Sequence, residues 1–228
     1  MAPTTRPAAA PLLLLLLIAV LGALAAPRVT TNNKKVQVQV MYESLCPDSI
    51  RFIKEQLTPA YEALGSQRMV VEFVPYGKAT TYPTDTGYSF RCQHGSNECR
   101  GNKVMACGLA RLLADNKRQV KFVNCIMSQT NPSKMSDKCI SDADLEARDM
   151  LDCVNSREGQ VLLAGMGEKT PSDIEFVPRV VFNGEFKQAD QDQALSNLIH
   201  VVCDKLAPSE RLPACERKKN PTSSWFFW

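Results

Sequence analysis

Between residues 36 and 42 apolar and polar positions alternate: Val36, Val38 and Val40 are separated by Gln37 and Gln39, and Met41 and Tyr42 follow. A period of two built on β-branched residues predicts a half-buried strand. After Cys46 the period changes. Ile50, Ile53, Leu57 and Tyr61 recur at helical spacing between Ser49 and Leu64, with Asp48 or Ser49 placed to cap the start and Gly65 to stop the helix. Cys46 therefore falls at a strand-to-helix turn. Residues Met69 to Val74 are mostly apolar, as in a strand covered on both faces. From Asn102 to about Met166 the pattern is helical in short pieces, with a break near Asn131-Pro132. Phe176 to Phe182 reads as a strand that turns at Asn183-Gly184, a type I′ pair, and a last helix runs from about Asp190 to Leu206. The order strand, helix, strand, helical block, strand, helix predicts a mixed α/β domain with a helical insertion at about 99–166.

The N-terminus has a different pattern. Arg6, an unbroken apolar run from Leu12 to Leu21 and the small residues 22–26 predict a secretory signal peptide over 1–25, cut after Ala23-Leu24-Ala25. The run is too short to span a bilayer, and no later stretch approaches the roughly 20 apolar residues of a spanning helix. About 200 residues remain, enough for one well-buried domain over 26–215. Residues 216–228 form a basic and aromatic tail, with Arg217, Lys218 and Lys219 ahead of Trp225 and Trp228. The formal charge is +3 and the cations are otherwise scattered, so nucleic acid is not an implied partner.

All nine cysteines lie beyond the signal segment. In an oxidising compartment most cysteines pair, and an odd count leaves one over as a reactive thiol or an intermolecular link. At a helix start, the helix dipole and free N–H groups favour a thiolate, and Pro47 suits the first helical position. The Asp48 carboxylate opposes that effect, and Cys46 can equally be half of a structural bridge. A second group, Cys92, His94, Cys99 and Cys107, has zinc-ligand chemistry, but it lacks C-x2-C hooks and sits in a secretory context that favours disulfides. No metal is expected there. A Cys46–His94 nucleophile and base pair is a further option that nothing in the sequence supports.

The stretch from Cys92 to Cys107 reads C-Q-H-G-x2-E-C-x2-N-x4-C. At every fixed position it resembles the signature of the gamma-interferon-inducible lysosomal thiol reductases. The resemblance extends from Val36 to Cys215 through Tyr42-Glu43-Ser44-Leu45-Cys46, Val74-Pro75-Tyr76-Gly77, Val177-Pro178 and Asn183-Gly184. It implies a thioredoxin-like fold, reduction of protein disulfides, and a role in antigen processing or innate defence. No prosthetic cofactor is implied. The departure from the family pattern is at Ser49, where reductases of this kind carry the second cysteine of C-x-x-C. The resemblance marks Cys46 and Ser49 as the catalytic positions and Val177 and Pro178, expected as a cis pair, as the substrate-binding step.

Without a second thiol, a mixed disulfide on Cys46 has to be released by an external thiol such as glutathione or cysteine. Ser49 can hydrogen-bond the Cys46 sulfur but cannot resolve the intermediate. With Cys46 as the odd cysteine, the expected bridges are Cys92–Cys99, Cys107–Cys153, Cys125–Cys139 and Cys203–Cys215, one of the many connectivities that eight cysteines allow. Neither Asn131 nor Asn220 forms a glycosylation sequon, because proline follows each. Localisation is thus secreted or endolysosomal, with secretion slightly favoured. Two readings stand: a monothiol disulfide oxidoreductase, or a secreted binding or host-defence factor that retained the fold.

Overall fold

The computed structural model describes residues 34–113 and 115–216. The expected signal peptide and all but the first residue of the expected tail lie outside the described residues. Strand β1 (Val36–Tyr42) is central in a three-stranded sheet of order β2-β1-β5. It runs parallel to β2 (Met69–Pro75), with Val36 opposite Met69 and Tyr42 opposite Pro75. Against β5 (Arg179–Phe182) it is antiparallel, with Val38 opposite Phe182 and Met41 opposite Arg179. Val36, Val38 and Val40 face the main core, and Gln37 is exposed. The alternation ends at Met41, which joins Val74 and Val181 in a small cluster on the opposite face. A central strand covered on both faces has no reason to keep a polar side there.

Helix α1 (Pro47–Phe52) continues through a π-helical turn at Ile53–Leu57 into α2 (Thr58–Leu64), which Gly65 stops at φ +69°. Pro59 explains the wider turn. It has no N–H to give to the carbonyl four residues back and its ring crowds that group, so the register loosens just before it. The sequence placed the cap at Asp48 or Ser49, whereas Cys46 is the capping residue and Pro47 the first helical one.

One element has no counterpart in the sequence reading. β3 (Thr80–Thr84) and β4 (Gly87–Arg91) form a two-stranded antiparallel hairpin. Helices α3 (Ser96–Arg111), α4 (Asn116–Met127), α5 (Asp137–Asp142), α6 (Ala147–Asn155) and α7 (Arg157–Glu168) then form the insertion. α3 starts earlier than the spacing suggested, behind Gly95 at φ +83°, and α8 (Gln188–Lys205) and α9 (Pro213–Glu216) close the chain. Val104, Phe122, Ile126 and Met150 from the insertion and Val38, Ile53 and Leu198 from the sheet and its helices belong to the same buried cluster. This is a thioredoxin-like α/β fold with a helical insertion tied by disulfides.

Four bridges link Cys92 to Cys99, Cys107 to Cys153, Cys125 to Cys139 and Cys203 to Cys215. The second pins α3 to α6 and the third α4 to α5. The strand expected from Phe176 is shorter than its apolar pattern, because pairing with β1 begins only at Arg179. The Val177–Pro178 peptide is cis and carries residues 176–178 off the sheet. Asn183 and Gly184 take positive φ, +52° and +78°, and Phe182 and Glu185 exchange two main-chain hydrogen bonds across them. No described helix is long and apolar enough to cross a membrane.

Candidate active site

Cys46 leaves β1 with extended dihedrals, φ −71° and ψ 121°, and its carbonyl accepts the Ile50 N–H at 3.0 Å. The main chain is thereby committed to the helix, while the side chain makes no cap. Among the described residues Cys46 is the cysteine outside any bridge, and 7% of it is exposed. Its Sγ lies 3.9 Å from the carbonyl oxygen of Val177, a distance at which the thiol donates a weak hydrogen bond. Segments 131 positions apart along the chain thus meet at one sulfur.

Gln191 on α8 holds the Val177 side of this meeting point. It is buried, its Oε1 accepts the Val180 N–H at 2.8 Å, and its Nε2 donates to the Pro178 carbonyl at 3.0 Å. Sequence reasoning missed Gln191, since a glutamine near the start of an amphipathic helix gives no sign of facing inward. A cleft of about 330 Å³ runs past this loop, lined by Asp48, Arg51, Phe52, Phe176, Val177 and Leu195 among others. A larger cavity of about 800 Å³ between α2 and α4 includes neither the Cys46 turn nor the Val177 loop.

Ser49 is fully buried, and its Oγ accepts the Glu43 N–H at 3.4 Å. It makes no hydrogen bond to the Cys46 sulfur, which it has the chemistry to form. The hydroxyl instead satisfies the main chain of the turn that carries Cys46. His94 likewise does not serve Cys46. Its Nδ1 contacts Glu98 Oε2 at 2.5 Å and lies 3.4 Å from Glu43 Oε2. Cys92, Cys99 and Cys107 are all consumed in bridges, which leaves none of them as a zinc ligand.

The residues from Cys92 to Cys107 fold against the lead-in to Cys46. Asn102 is buried, and its Oδ1 accepts the Ser44 N–H at 2.9 Å while its Nδ2 donates to the Tyr76 carbonyl at 3.5 Å. Ser44 Oγ donates to the Glu98 carbonyl at 3.0 Å, and a Cβ on Gly101 would fall 2.5 Å from that hydroxyl. Glu43, fully buried, accepts the Lys78 N–H at 2.7 Å through Oε1. A Cβ at Gly77 would lie 2.2 Å from Glu43 Cγ and φ there is +61°, so only glycine leaves room for this carboxylate. Burial pushes the Glu43 carboxyl above its ordinary value; the Lys78 amide pulls it back and the Glu98 charge adds to the rise. Donor atoms of Glu43, His94 and Glu98 all lie within 4.8 Å of one another, a set able to hold a metal ion.

The sequence profile described as "Gamma interferon inducible lysosomal thiol reductase (GILT)" matches residues 37–143. "GILT-like protein 1" of Drosophila melanogaster is 37% identical over 198 residues, covering 78% of each chain. The "Gamma-interferon-inducible lysosomal thiol reductase" of Carassius auratus is 34% identical over 200 residues, covering 85% of this chain and 78% of its own. Among solved structures, DsbA from Mycobacterium tuberculosis in its reduced form aligns with a TM-score of 0.47 at 14% identity, over 79% of this chain and 92% of that one. Identity above one third, sustained over most of both chains, places this sequence in one family with those relatives. The chain belongs to the gamma-interferon-inducible lysosomal thiol reductase family.

Proposed function

We propose that the chain exchanges disulfides through the sulfur of Cys46 and depends on an external thiol to complete each cycle. The chain is a thiol–disulfide oxidoreductase, and the observation that supports this assignment of the reacting atom is the free Cys46 thiol beside the Val177 carbonyl, where Val177 and Asp48 line a neighbouring cleft. In the first step the Cys46 thiolate attacks one sulfur of a substrate disulfide. The substrate S–S bond breaks, a mixed disulfide forms on Cys46, and the second substrate sulfur leaves as a thiolate.

Ser49 has no sulfur with which to attack that intermediate. A glutathione or cysteine thiolate does so instead, attacking the Cys46 sulfur, displacing the substrate sulfur bonded to it as a thiolate and leaving a mixed disulfide between Cys46 and the small thiol. A second equivalent regenerates the Cys46 thiolate and departs as the oxidised small thiol. The reductant is thus the small thiol, and no prosthetic group is called for. Four bridges fit an oxidising lumen, and relatives named lysosomal support a secreted or endolysosomal setting.

Trapping tests this reading. Incubated with a disulfide-bearing peptide and no added thiol, the wild-type protein should accumulate one peptide adduct, mapped to Cys46 by mass spectrometry, and glutathione should discharge it. If no adduct forms under conditions where the unfolded chain reacts, the second reading takes over. That reading, a binding protein that kept the fold, is favoured by the buried hydroxyl at position 49.

A further inference from the structure

The geometry points to a site for a first-row divalent cation, with zinc the best match, formed by Glu43, His94 and Glu98 beside the turn that carries Cys46. Three segments supply the donors: the end of β1, the loop closed by the Cys92–Cys99 bridge, and the first turn of α3. Each carboxylate has one oxygen fixed by a main-chain amide. Glu43 Oε1 accepts from Lys78 N at 2.7 Å and Glu98 Oε1 from His94 N at 3.0 Å, which leaves both Oε2 atoms facing His94 Nδ1. That is the outer-shell support that metal-binding carboxylates need for orientation.

One of the facing atoms has no partner. Nδ1 can carry a single proton and contacts Glu98 at 2.5 Å; Glu43 Oε2, on a side chain with no exposure, makes no hydrogen bond and points at the same nitrogen from 3.4 Å. Two buried carboxylate oxygens therefore converge on one ring nitrogen. A divalent ion in place of a proton on Nδ1 meets two carboxylates and a neutral imidazole, and the charges balance.

Tetrahedral zinc with bonds near 2.0–2.1 Å sets its ligand atoms about 3.3 Å apart. The Glu43–His94 separation of 3.4 Å already has that value, and the His94–Glu98 contact has to open by about 1 Å. The His94 side chain, one third exposed, is the least buried of the three donors, so the adjustment falls to it. An imidazole in the set selects zinc or a neighbouring transition metal over magnesium or calcium, which favour all-oxygen shells.

The test is a zinc titration of metal-stripped, tag-free protein carrying Cys46→Ser, which removes the thiol as a competing ligand. Calorimetry and metal analysis after dialysis should both give about one equivalent, and cobalt should give the visible bands of a four- or five-coordinate centre. Adding Glu43→Gln or His94→Gln to that background should weaken binding by about tenfold or more. The exposed His200–Asp204 pair is the main rival for adventitious metal, and it is untouched by these changes. Less than a fifth of an equivalent in the Cys46→Ser protein, or unchanged affinity in folded Glu43→Gln, overturns the proposal. Should Glu43→Gln fail to fold, His94→Gln decides in the same way.

Discussion

The sulfur of Cys46 lies 3.9 Å from the carbonyl oxygen of Val177, 131 positions further along the chain. Neither residue could be placed there by its own segment. β1 and α1 fix the cysteine, while the loop before β5 brings the carbonyl, and Gln191 ties that loop to α8 through Val180 and Pro178.

Replacing Gln191 with Leu leaves the buried Val180 N–H and the Pro178 carbonyl without partners, at a cost of about 2 kcal/mol. The same change frees the Val177 loop, so exchange at Cys46 should slow by more than the loss of folded protein accounts for. Gln191→Glu keeps the acceptor for Val180 but turns an unpaired carboxylate oxygen toward the Pro178 carbonyl in a buried site, and should cost more at neutral pH. Urea denaturation alongside kcat/KM for a disulfide peptide separates the two effects.

The bridges should not be equivalent. Cys107–Cys153 closes a loop of 46 residues and Cys203–Cys215 one of 12, so loop-closure entropy assigns about 4 kcal/mol to the first and about 3 kcal/mol to the second. The first joins two buried positions, whereas Cys215 of the second is only partly buried. Paired Cys→Ala variants compared by urea denaturation should show the larger loss for Cys107 and Cys153, with α3 and α6 the first elements to lose amide protection from hydrogen exchange. An equal or reversed order would assign their effect to packing.

Arg111 on α3 bonds Asp149 on α6 at 2.9 and 3.0 Å and also bonds Glu158 on α7. These hydrogen bonds hold both carboxyls below their ordinary values. A depressed folded value means stability that is present above the unfolded carboxylate pKa of about 4 and lost as pH falls through the folded values. Arg111→Gln should therefore lower Tm modestly at pH 5 to 7, less in high salt, and the gap to wild type should narrow as pH falls below about 4. A gap that stays constant to pH 3 would assign the effect to lost packing.

Part of this architecture is legible in the sequence for simple reasons. Val36, Val38 and Val40 announce β1, and Cys46-Pro47 marks the point where period two gives way to a helix. The β3–β4 hairpin escaped because most of its residues are exposed, so no apolar alternation marks it, and Pro83 argues against a strand. Ser49 Oγ has the chemistry to bond the Cys46 sulfur, yet it bonds Glu43 N, because the turn needs an acceptor there and local spacing gives no sign of that need. His94 stands out in sequence only beside the cysteines, and nothing there pairs it with Glu43. Only the folding of the Cys92–Cys107 segment onto the Tyr42–Cys46 lead-in brings them together.

The central claim is that exchange runs through Cys46 and that release waits on an outside thiol because residue 49 is Ser. Initial rates of disulfide reduction across a glutathione series, for wild type, Cys46→Ser and Ser49→Cys, test it most directly. Wild type should rise in proportion to glutathione and Cys46→Ser should show no rate above the uncatalysed reaction. Ser49→Cys places a thiol within one helical turn, so resolution becomes intramolecular and the rate at low glutathione should exceed wild type by about tenfold or more. A Cys46→Ser protein as active as wild type at every glutathione concentration would contradict the account.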